Sequence, residues 1–191
     1  MGESFEREMH EECAITGVTS VELQASFLAY QALASTQHRG EEAAGIATNN
    51  GELKMHADLG RVDNVFSEKK LKRLPGHTAI GHNRYSTSGK SKKHLQPITD
   101  RAASYAFAEN GNTPEVELLE DELHKRSMNP TGMNDSEMKG HLLASEVLKG
   151  HELPEAVRRM YPMFRGPSWM LLCGVIWWLV LKILMACGRA H

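Results

Sequence analysis

The sequence predicts an α+β fold in which sheets and helices stack in layers, and three observations point there. Short apolar runs of strand character are grouped between helical segments rather than alternating strictly with them, which disfavours a doubly wound sheet. Residues 13–168 carry no Pro/Ser-rich linker and no internal repeat, so they read as one domain. The 191 residues are 41% hydrophobic and 24% charged, enough apolar material for a sizeable core and too much for a disordered chain.

The elements follow in order. Residues 14–18 are a short apolar run that ends in a Gly-containing turn, consistent with a buried strand. Ser20 is placed to cap a helix whose apolar positions Leu23, Phe27, Tyr30 and Ala34 keep helical spacing. Residues 44–48 and 52–56 flank Asn49-Asn50-Gly51, a hairpin signal because Asn and Gly tolerate positive φ. Residues 78–82 and 103–108 read as further strands. Thr113-Pro114 sets a capping hydroxyl before a proline at the first helical position and opens a helix to about Lys125. Asp135 or Ser136 opens another, through Leu142, Leu143 and Val147 to Gly150.

Charge and composition exclude several functions. Lys and Arg number 22 against 24 Asp and Glu, so a net charge of −2 gives no electrostatic reason to expect nucleic acid or an anionic membrane as partner. Cys13, Cys173 and Cys187 are an odd set without a CxxC pair, which argues against a disulfide framework or a structural zinc site. The ten histidines are scattered, with no HExxH or HxH, and no metal site is expected. Residues 1–12 hold five Glu and no apolar run, unlike an export signal, so a reducing cytoplasm is the expected compartment.

A lone Cys at a strand start is ordinarily a small buried hydrophobe, an Arg at a strand end a solvated partner, and Asn-Gly-Asn a turn. What distinguishes this chain is the ordered set. Glu12-Cys13 is followed by Gln37-His38-Arg39-Gly40, then Gly81-His82-Asn83-Arg84-Tyr85-Ser86-Thr87-Ser88-Gly89, Gln96-Pro97, Asn110-Gly111-Asn112 and Asn134-Asp135-Ser136-Glu137. Over residues 12–168 this set resembles the N-terminal glutaminase domain of the amidophosphoribosyltransferase family.

The resemblance implies an N-terminal-nucleophile hydrolase, an αββα sandwich, here truncated. It implies glutamine as substrate, hydrolysed to glutamate and to ammonia for 5-phosphoribosylamine formation in purine synthesis. Cys13 is the implied nucleophile, Asn110 and Gly111 the oxyanion donors, Arg84 the clamp on the glutamine α-carboxylate and Asp135 the partner of its α-ammonium. A free α-amine at Cys13, ordinarily of pKa roughly 7.7–8.0, suits the general base. Residues 1–12 are therefore expected to be a propeptide cleaved at Glu12–Cys13. No cofactor is expected here, since the family's magnesium serves a transferase domain that this chain lacks; the full enzyme implies a homo-oligomer. The chain departs from the family at Ala14, where Gly is usual, at Thr16, where an aromatic is common, and at Glu109, which replaces a His. Ionised, Glu109 would set a carboxylate beside the oxyanion donors.

Residues 169–191 form an apolar tail, and within 169–188 Lys182 is the only charge. That length is about the ~20 residues of a membrane span. Read one base earlier, however, residues 181–189 can yield Val-Lys-Asp-Pro-His-Gly-Met-Arg-Pro, which resembles the family at this distance downstream. The tail is thus expected to be frameshift-derived and foreign to the fold, its membrane association an artefact. Two other readings stay open: a catalytically silent remnant that only associates with other subunits, and a tail-anchored membrane protein.

Overall fold

The computed structural model describes residues 13–85, 94–111, 113–166, 168–174 and 178–183, with side chains described to residue 174. Two four-stranded antiparallel sheets lie face to face. The first contains β1 (Ala14–Thr19), β2 (Ala43–Asn49), β3 (Leu53–Leu59) and β4 (Thr78–Arg84) in the order β1-β4-β2-β3. The second contains β5 (Ile98–Asp100), β6 (Tyr105–Gly111), β7 (Ser168–Gly174) and β8 (Trp178–Ile183) in that order. Between them Ala47, Ile80, Ala106, Ala108, Leu171 and Cys173 form a core of largely small side chains. Helices cover both outer faces: α1 (Ala25–Ser35) and the short α2 (Val62–Val65) and α3 (Glu68–Leu71) on the first sheet, and α4 (Val116–Lys125), α5 (Asp135–Leu148) and α6 (Leu153–Met160) on the second. The result is an αββα sandwich.

Most predicted elements form, and the differences have local causes. The β2–β3 hairpin closes with Asn49 opposite Leu53, Gly51 at φ +100° and the Asn49 side chain accepting the Gly51 N–H at 2.9 Å. Helix α1 does not start at Ser20, whose hydroxyl accepts the Glu22 N–H at 3.2 Å, and it buries Ala25, Ala29 and Leu33 rather than the Leu23 stripe. Alanines on that face let the helix lie close to β4: a Cβ built at Gly81 would sit 2.8 Å from Leu33 Cδ1. Thr113 does not cap α4. Helix α5 begins at Asp135 behind an Asn134–Glu137 capping box.

Beyond residue 168, where the sequence analysis ends the domain, Ser168–Gly174 run antiparallel to β6 near the centre of the second sheet. Met170 and Leu172 pack under the helices while Leu171 and Cys173 face the other sheet. A strand covered on both faces is apolar at successive positions, and this is why the segment shows no alternation. β8 pairs with β7 from Ser168↔Ile183 to Cys173↔Trp178. Of the stretch read as frameshifted, residues 184–189 lie outside the described residues, as do residues 1–12, residues 86–93 and Asn112. Among the described residues no helix is long and apolar enough to cross a membrane.

Candidate active site

Cys13 directly precedes β1, half-buried, at the end of the strand that pairs with β4. Its Sγ accepts the Tyr85 N–H at 3.4 Å, and its thiol lies 3.6 Å from the Tyr85 carbonyl that it can donate to. Burial pushes the thiol pKa up. The Tyr85 and Cys13 backbone groups and the Arg84 guanidinium oppose that shift, and Glu42 reinforces it. Cys13 is therefore a protonated thiol that needs a base before it can act as a nucleophile.

A cleft of about 450 Å³ joins Cys13 to Asn110, with Thr16, Arg39 and Trp169 also on its wall. Asn110 lies on β6 opposite Trp169, and Gly111 lies opposite Ser168. A Cβ at Gly111 would stand 2.6 Å from Ser168 Cβ, so the approach of β7 requires glycine there. A larger cleft, about 570 Å³, lies elsewhere and is lined by Lys54, His56, Lys70, Arg73 and Arg101; it holds none of the predicted site residues.

The Gln37-Arg39-Gly40 segment braces this end of β4. The Gln37 side chain donates to the Gly40 carbonyl at 2.6 Å and accepts the Val62 N–H at 2.7 Å. Gly40 passes so close to β4 that an added Cβ would lie 2.6 Å from the Arg84 carbonyl carbon. Arg84, at the end of β4, faces the Glu42 carboxylate with Nε to Oε2 at 3.8 Å, and both side chains are largely buried. Cys13 and Asn110 therefore share one cleft and Arg84 adjoins the Cys13 anchor, whereas Arg84, Gly111 and Asp135 are not among the described residues lining that cleft.

Asp135 is the first residue of α5. Its Oδ2 accepts the Thr113 N–H at 3.0 Å and stands 4.0 Å from Lys139 Nζ. Lys139 is fully buried and donates to Glu109 Oε1, which also accepts the Ser168 hydroxyl at 2.6 Å. This corrects the expectation for Glu109. Successive strand residues point to opposite faces, so Asn110 reaches the cleft while Glu109 turns toward the helices and is neutralised by Lys139. The backbone of Glu109 is held too: its N–H donates to Gln96 Oε1 at 2.7 Å, and its carbonyl lies 3.1 Å from His82 Nε2.

Lys139, Glu42 and Gln96 were not singled out in the sequence as members of this network. Among the described residues no group of three or more His, Cys, Asp or Glu side chains is placed to hold a metal ion.

Known proteins share this architecture. Amidophosphoribosyltransferase 3 of Arabidopsis thaliana is 41% identical over 145 residues, which are 74% of this chain and 27% of that protein. The amidophosphoribosyltransferase of Methanothermobacter thermautotrophicus is 35% identical over 167 residues, 84% of this chain and 35% of the relative. Among solved structures, the glutamine phosphoribosylpyrophosphate amidotransferase from B. subtilis complexed with ADP and GMP superposes with a TM-score of 0.75 at 30% identity, covering 88% of this chain and 36% of that one. A second, described as the allosteric regulatory enzyme of purine biosynthesis, gives 0.77 at 29% identity over 88% of this chain and 37% of its own. No family model matches the chain.

The fold is thus that of an N-terminal-nucleophile hydrolase of the class II glutaminase type. The chain belongs to the amidophosphoribosyltransferase family, matching its N-terminal glutaminase domain and spanning about a quarter to a third of the length of the curated relatives.

Proposed function

We propose that this chain is the glutamine-hydrolysing part of an amidophosphoribosyltransferase, with Cys13 as nucleophile. The observation that carries the reading is the half-buried Cys13 thiol, held by the Tyr85 backbone, on one cleft with Asn110. With residues 1–12 attached the Cys13 nitrogen is an amide and cannot act as a base. Cleavage of Glu12–Cys13 makes it an amine able to take the thiol proton.

The thiolate then adds to the side-chain amide carbon of glutamine. Asn110 Nδ2 and the Gly111 N–H stabilise the oxyanion as it forms. The C–N bond breaks, the amine of Cys13 returns its proton to the leaving nitrogen, and ammonia departs from a γ-glutamyl thioester. Water, deprotonated by the same amine, cleaves the thioester to glutamate and regenerates the thiol. Arg84 and Asp135 bind the α-carboxylate and α-ammonium, so the site selects a free amino acid by two opposite charges. The ammonia serves 5-phosphoribosylamine formation at a transferase domain in a cytoplasmic, homo-oligomeric enzyme. The frameshift reading of the tail, residues 169–191, remains part of the proposal, supported by the alternative translation of residues 181–189.

The test is ammonia release from glutamine by the 191-residue chain and its Cys13→Ala variant. Hydrolysis lost with Cys13 supports the assignment. Hydrolysis unaffected by the substitution refutes it.

A further inference from the structure

An ammonium group with no exposed surface must be explained by what holds it, because desolvation of a charge is costly unless partners replace the lost hydration. Lys139 is such a group: its side chain and that of Glu109 have no exposed surface. Its Nζ donates to Glu109 Oε1, lies 5.9 Å from the centre of the Phe164 ring, and stands 4.0 Å from Asp135 Oδ2. Lys139 and Asp135 are one turn apart on α5 and so share a face of the helix. Glu109 immediately precedes Asn110-Gly111 on β6. One cation thus touches the strand that carries the oxyanion donors and the carboxylate assigned to the substrate ammonium.

We infer that Lys139 is a positioning residue for glutamine recognition, acting through Asp135; the inference rests on the assignment of Asp135 made above. Both groups that meet Asp135 meet the same oxygen: Thr113 N–H and Lys139 Nζ converge on Oδ2. They hold the carboxylate in one rotamer and leave Oδ1, which has no partner among the described residues, for the α-ammonium of the substrate. Glu109 has the complementary task. By taking most of the Lys139 charge it prevents Asp135 from being fully neutralised, so Asp135 keeps its attraction for an incoming cation.

If Lys139 only balanced Glu109, removing both charges together would leave substrate preference untouched. The experiment compares kcat/KM for glutamine with that for glutaramate, which is glutamine without its α-amino group, in the 191-residue chain. The double variant E109Q/K139M removes the buried pair without stranding a charge, and E109Q/K139Q, which retains an amide–amide contact, replaces it if it does not fold. The expected result is about a tenfold fall in the glutamine-to-glutaramate ratio, expressed mainly in KM for glutamine, and a smaller further fall on adding Asp135→Asn than that substitution causes in the parent chain. An unchanged ratio, or parallel losses on both substrates, overturns the inference. A ratio unchanged in Asp135→Asn alone overturns instead the assignment of Asp135 on which it rests, so the two failures are distinct.

Discussion

The Tyr85 backbone N–H donates to Cys13 Sγ at 3.4 Å, so the residue after Arg84 anchors the proposed nucleophile. Burial raises the thiol pKa, with Arg84 and Glu42 pulling in opposite directions. Rates of alkylation by iodoacetamide as a function of pH read this balance directly. In the leader-bearing chain the labelling of Cys13 should rise only above the pH at which an ordinary thiol reacts. Glu42→Gln should move the profile to lower pH and Arg84→Gln to higher pH. Shifts in the same direction would contradict the electrostatics of the site.

His82 sets a second pH dependence. It is fully buried, burial pushes its pKa down from 6.5 to about 4, and its ring lies 3.1 Å from the Glu109 carbonyl, which Nε2–H reaches as donor. Between these values the unfolded chain binds a proton that the folded chain does not. Stability is therefore complete above about pH 6.5 and is lost as pH falls toward 4, by about 3 kcal/mol for this group. Denaturant unfolding of the parent and His82→Gln should show a shallower acid slope in the variant.

The proposed substrate-binding and oxyanion residues should separate kinetically. Arg84→Ala and Asp135→Ala each remove a contact to a charged ligand, and weaker glutamine binding by about 1.5–3 kcal/mol is expected in each. Asn110→Ala should lower kcat with little change in KM, because its donor is needed most when the oxyanion forms. Steady-state kinetics of the three variants check this division.

Strand β7 should be indispensable. Met170 is fully buried beneath the helices and Leu172 nearly so. Leu172→Ala should cost about 2–5 kcal/mol in unfolding free energy. A chain stopped at residue 167 should not fold cooperatively, since the second sheet would lose the strand that pairs with the whole of β6. Circular dichroism and urea titration of both variants measure it.

Local signals made β1, the β2–β3 hairpin, β4, β6, α4 and α5 legible, because each carries its own apolar run, turn residues or helix-opening residues. β7 was not. Its residues Met170, Leu171, Leu172 and Cys173 are buried on both faces, and a run without periodicity reads equally as a membrane span. The apolar face of α1 was misassigned because alanines, which carry little hydrophobic signal, face the sheet while Leu23 is exposed. For the proposed site, ordered motifs pointed to Cys13, Arg84, Asn110, Gly111 and Asp135. Lys139 stayed hidden because its partner Glu109 lies 30 residues away in the chain, a separation no local pattern spans.

The proposed nucleophile and its maturation meet in a single measurement, the intact mass of the folded chain before and after treatment with a diazoketone analogue of glutamine, which alkylates a thiolate with loss of N₂. The expected product lacks residues 1–12 and carries one adduct, mapped by peptide sequencing to Cys13, while Cys13→Ala keeps its leader and takes up none. A chain that hydrolyses glutamine with its leader intact, or that carries its adduct on Cys173, would contradict the assignment of Cys13 as an N-terminal nucleophile.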